Sequence, residues 1–196
     1  MNHKTFPKGY RQIEVMDFVR NRKQLLTVNI SAIAVSVVMV VAALLLRPFS
    51  PTWEFLKANW WAWLAAAGMY LIYIPLHELT HGILMHILSG VKPKYGFQLC
   101  YAYAGSHVYF DRFSHNLIAL APLALWGIVL FILERTLPVH WFWLLYFVQI
   151  SNVSGSMGDV YCVLHLARLP REILIQDTGT RMRIFAPRPA ANEESK

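Results

Sequence analysis

The chain has 196 residues, 56% hydrophobic and only 15% charged, with a formal net charge of +7. That is about the length of one domain, but its charge content falls well short of the roughly 25% of ordinary globular chains. Its apolar residues lie in long runs, which excludes an ordinary soluble domain and implies contact with a lipid bilayer.

Residues 1–24 are polar and charged and read as a cytoplasmic N-terminal segment, not a cleavable signal. The first apolar run, Leu25 to Leu46, is uncharged and ends at Arg47. At helical rise it extends about 33 Å, enough for a span. The second, from about Asn59 to Leu88, opens on Trp60, Trp61 and Trp63, an interfacial signature. At about 45 Å it must tilt or project, and Pro75 is expected to kink it. In the following loop, Tyr95 to Phe97, Leu99 to Tyr103 and His107 to Phe110 are β-prone, which predicts a hairpin turning at Ala104 to Ser106. The third run, Leu117 to Leu133, contains Pro122; the fourth, about Trp141 to Leu169, carries a polar, small-residue stretch from Ser151 to Asp159. Residues 170–196 read as a cytoplasmic tail, disordered after Pro187.

The expected fold is therefore an all-α, four-transmembrane-helix bundle over residues 25–169, with a short β-hairpin-like cytoplasmic loop between helices 2 and 3. Of 18 basic residues, only Arg47, Lys57 and Arg135 fall in the two opposite loops. The remainder places both termini and the middle loop in the cytoplasm. Because the basic residues flank the spans, without an aromatic-interleaved stripe or Gly-rich phosphate loop, no nucleic-acid partner is expected. Cys100 and Cys162 lack metal-site spacing and read as reduced apolar side chains.

The chemistry is concentrated in His77-Glu78-Leu79-Thr80-His81. Residues four apart share a helix face, so both imidazoles can reach one metal ion, and the intervening Glu78 is placed as general base. Ionisable groups inside a span are costly and functional by default. Zinc suits two imidazoles and a carboxylate, and a catalytic site needs a third protein ligand. Leu84 and Ile87 stand where a metzincin extension would have glycine and histidine, and His86 points to the opposite side of the helix. Depth selects Asp159: it lies about 15 Å from the cytoplasmic end of the fourth run, level with the histidines at roughly 10 to 17 Å in the second. Asn152, seven residues earlier, lies near the same face, placed for substrate binding, ligand orientation or helix packing. His107, His115 and His165 are weaker candidates for supporting roles.

Over about Tyr70 to Leu169 the chain resembles a bacterial zincin peptidase family of small membrane proteins. The resemblance rests on His77-Glu78-x-x-His81-Gly82, Ala121-Pro122 and Ser154-Gly155-Ser156-Met157-Gly158-Asp159. More remotely, the chain is similar to the site-2 protease class of intramembrane metalloproteases. The latter implies Asp159 as the distal zinc ligand and Asn152 as a substrate-strand contact. Ser154-Gly155 and Asp159-Val160 depart from that class, which has proline and an Asp-Gly pair there. The expected function is zinc-dependent hydrolysis of a membrane protein or peptide substrate, in or near the cytoplasmic side of a bacterial cell membrane. The alternative is a non-catalytic metal-binding scaffold retaining a zincin site.

Overall fold

The computed structural model describes residues 2–18, 20–98 and 101–188. Cys100, the expected strand residue Leu99 and the tail end read as disordered lie outside the described residues. The chain is mostly helical, and among the described residues three helices are long and apolar enough to cross a membrane: α1 (Arg22–Leu46), α3 (Trp60–Ser89) and α4 (Arg112–Thr136). A short amphipathic helix, α2 (Ser50–Ala58), joins the first two and carries Pro51 in its first turn, where a fixed φ is well suited. Its aromatic neighbours Trp53, Phe55, Trp61 and Trp63 pack edge-on at this end of the molecule.

Helix boundaries follow from caps that hydropathy does not register. α3 stops where Gly90 turns left-handed (φ 66°) and returns its N–H to the His86 carbonyl. α4 starts well before its apolar run because the Asp111 carboxylate accepts the Ser114 N–H at 2.8 Å.

The fourth apolar run departs from expectation. Instead of one span over Trp141 to Leu169, it forms α5 (Phe142–Gly155) and α6 (Met157–Leu166), interrupted at Ser156. The fully buried Ser156 donates its hydroxyl to the Asn152 carbonyl at 2.8 Å, a bond that competes with regular helix. α5 and α6, at 14 and 10 residues, are each shorter than a span. α4 packs between α3 and α5, while α1 lies across α5 and α6. Tyr73, Leu130, Leu145 and Val148 form the interhelical core.

The all-α expectation also gives way. Strands β1 (Tyr10–Met16), β4 (Phe110–Asp111), β5 (Leu174–Asp177) and β6 (Met182–Pro187) form an antiparallel sheet in the order β1-β6-β5-β4. A register irregularity between Gln12 and Glu14 breaks the alternation in β1, so its strand signal is weak in the sequence. The sheet buries Met16, Ile175, Met182 and Ile184 against Cys162 and Leu166 of α6.

A separate hairpin, β2 (Lys94–Gln98) with β3 (Tyr101–Gly105), bears out the β character of the middle loop. Ala104 and Gly105, where the turn was expected, end the second strand, and Ser106 follows it. Ser106 is held there by donating its N–H to the Asp177 carbonyl at 2.7 Å.

Candidate metal centre

His77 and His81 lie one turn apart on α3, with ring centroids separated by 5.0 Å. Asp159 enters from the first turn of α6, directly after the break at Ser156. Its Oδ2 lies 3.7 Å from Nε2 of each histidine. One ligand atom from each of the three residues falls within 4.8 Å of the others. His81 is buried and the other two are half-buried.

The hydrogen bonds fix where the imidazole protons sit. A carbonyl only accepts, so Asn152 must present its amide N–H to the Leu123 carbonyl at 3.1 Å. Its Oδ1 then accepts from the Tyr73 hydroxyl at 2.8 Å. With its one proton committed, the Tyr73 oxygen accepts from His77 Nδ1 at 2.9 Å. His81 Nδ1 likewise donates to the Ile118 carbonyl at 2.9 Å. In its neutral form each ring therefore turns an Nε2 lone pair toward the Asp159 carboxylate. Three electron-pair donors converging in this way can share one cation. Two imidazoles and one carboxylate in a partly enclosed pocket are a donor set that zinc accepts.

Glu78 borders the same cavity, of about 540 Å³. Its Oε2 accepts the backbone N–H of Ala104 at 2.8 Å, so β3 runs directly beside the motif. Strand residues Ala102, Tyr103 and Ala104 line the cavity, as do Met16 and Phe18 from the N-terminal segment. Gly82 permits the neighbouring strand β2 to approach: a Cβ there would collide with the Tyr95 side chain.

Asn152, read from the sequence as a substrate contact, a ligand-orienting group or helix packing, lies beside the site. Its side chain is completely buried, lies outside the cavity lining and is bonded to Tyr73 and Leu123. It stands behind His77. His115 does line the cavity: it is 3% exposed, its Nε2 is 3.9 Å from Asp177 Oδ2, and its buried Nδ1 has no hydrogen-bond partner among the described residues. His86 and His107 are exposed, while His165 pairs with Glu14 Oε1 at 2.9 Å, away from the cavity lining.

Sequence reading missed Tyr73, the Ile118 carbonyl, the Ala104 N–H and the pairing of His115 with Asp177. Tyr73 was findable in principle, since it precedes His77 by one helical turn. The others depend on contacts between distant elements.

The family model described as Putative zincin peptidase matches residues 70–174. The chain belongs to this family. The zincin peptidase match spans both histidines, Glu78 and Asp159, and the family implies zinc. It ends before Asp177, so the cavity wall contributed by Met16, Phe18 and Asp177 lies outside it. No curated protein and no solved structure matches.

Proposed function

We propose that the protein is a membrane-embedded zinc metalloprotease cleaving a membrane protein or peptide near the cytoplasmic side of the bilayer. The convergence of His77 Nε2, His81 Nε2 and Asp159 Oδ2 beside Glu78 carries this reading. In it, these three residues hold zinc. When bound, zinc supplies Lewis-acid chemistry, acidifying water and polarising a carbonyl. Glu78 takes the proton of the attacking water and delivers it to the leaving amine. One carboxylate oxygen of Glu78 is held by the Ala104 N–H, which fixes the direction in which the other faces.

The cavity edge of β3 suits an extended peptide, which adds to a strand through main-chain hydrogen bonds. Apolar Met16, Phe18, Leu25 and Val28 on the cavity wall favour an apolar substrate side chain. Cytoplasmic placement of both termini is supported by the basic-residue asymmetry. It is also supported by the joining of N-terminal, middle and C-terminal strands in one sheet. Asn152, bonded behind His77, acts in this reading on the ligand and not on the substrate.

The test is metal analysis and peptide hydrolysis with purified full-length protein. Near-stoichiometric zinc, activity lost on chelation and restored by zinc, and a Glu78→Gln variant that keeps zinc but loses hydrolysis are expected. Wild-type protein without zinc would refute the site. Zinc without cleavage of any membrane peptide would favour a non-catalytic metal-binding scaffold.

A further inference from the structure

Pro122 is completely buried in the interior of α4, where proline is among the least tolerated residues. It has no N–H, so the carbonyl one turn earlier, that of Ile118, loses its helical donor. That carbonyl receives His81 Nδ1 at 2.9 Å. On the other histidine, Asn152 performs an equivalent task without touching it. By donating to the Leu123 carbonyl and accepting from Tyr73, it commits the tyrosine proton and leaves the tyrosine oxygen to accept from His77.

We infer that Pro122 and Asn152 are positioning residues of the metal centre, each fixing one imidazole with its proton on Nδ1 and its lone pair on Nε2. The inference rests on the metal reading above, but its geometric content concerns only this chain's residues. The two devices differ in kind. Pro122 acts by omission, opening a gap in the α4 hydrogen-bond ladder. Asn152 acts by direction, since its amide orientation is dictated by a carbonyl that can only accept.

Restoring the missing N–H with Pro122→Ala lets the helix reclaim the Ile118 carbonyl and compete with His81. Removing the amide with Asn152→Leu frees the Tyr73 hydroxyl to rotate and donate to His77 Nδ1. That reversal favours the tautomer whose Nε2 bears hydrogen and cannot bind metal. Tyr73→Phe removes the acceptor itself.

The test uses full-length, histidine-15N-labelled protein in detergent. The metal-free wild type should show His77 and His81 with protonated Nδ1, and Asn152→Leu should move the His77 signals toward protonated Nε2. Zinc affinity, measured against a chromophoric chelator, should fall about 10- to 100-fold in Pro122→Ala and Asn152→Leu. The metal-free Pro122→Ala protein should melt no lower than wild type, because a helix-interior proline has been removed. A merely structural Pro122 would leave zinc affinity unchanged. If Asn152→Leu fails to fold, Tyr73→Phe tests the same relay and should weaken zinc binding about tenfold. Protonated Nε2 on both rings in the wild type, or wild-type zinc affinity in the variants, overturns the inference. A wild type that binds no zinc refutes the metal reading, while its ring spectrum still decides the tautomers.

Discussion

Ala104 on β3 donates its backbone N–H to Glu78 Oε2 at 2.8 Å, tying the edge of a hairpin to the acid of the metal motif. The contact spans 26 residues of sequence and joins membrane-type helix to strand. Because the donor is main chain, no side chain in the strand reveals it.

Ala104→Pro removes that donor and leaves the ligands intact. A hydrogen bond to a charged group is worth about 1.5–3 kcal/mol, so peptide hydrolysis should fall about 10- to 100-fold. Zinc content should stay near that of wild type. Equal turnover in the two proteins would show that the strand contact plays no part in Glu78's work.

Gly82→Ala places a methyl group where the Tyr95 hydroxyl lies. The helix and β2 must then separate or Tyr95 must swing away, at a cost of about 1–3 kcal/mol of stability. Adding Tyr95→Ala should recover most of that loss, a coupling that thermal unfolding in detergent can measure. Additive losses would show that the crowding lies elsewhere.

Ile184 is fully buried on β6, in the cluster that supports Cys162 and Leu166 of α6. Ile184→Ala should cost about 2–5 kcal/mol. It should also weaken zinc retention, because α6 carries Asp159. The control Leu45→Ala, at a position 81% exposed on α1, should leave zinc retention unchanged. If Ile184→Ala lowers the unfolding temperature and zinc affinity is untouched, the sheet does not position the ligand.

His115→Phe removes a buried, cavity-lining imidazole and its pairing with Asp177. Peptide hydrolysis should drop by about 10²-fold if this ring moves a proton or holds the substrate carbonyl. Zinc should remain bound. Parallel loss of zinc and turnover would instead assign His115 to the scaffold.

The three long helices were legible because uncharged or nearly uncharged runs leave few alternatives to a helix in an apolar setting. The helix ends were not, since Asp111 and Gly90 act through single hydrogen bonds that hydropathy averages away. The break at Ser156 was visible only as a polar stretch; its effect depends on a buried hydroxyl competing for the Asn152 carbonyl. The terminal strands escaped because β1 loses its alternation at an irregularity and its partner β6 is nearly the whole chain away.

By itself, the sequence determined the metal motif: one helical turn puts His77 and His81 on one face, with Glu78 between them, whatever surrounds the helix. It also singled out Asp159, through membrane depth. The same turn puts Tyr73 beside His77, but tertiary structure alone decided the rest: Asn152 behind Tyr73, the Ile118 carbonyl behind His81, and Ala104 against the acid. The physical reason is range. Helical periodicity is fixed by the local backbone, whereas Asn152 Oδ1 on Tyr73 and the Ile118 carbonyl on His81 are brought within 3 Å only by folding.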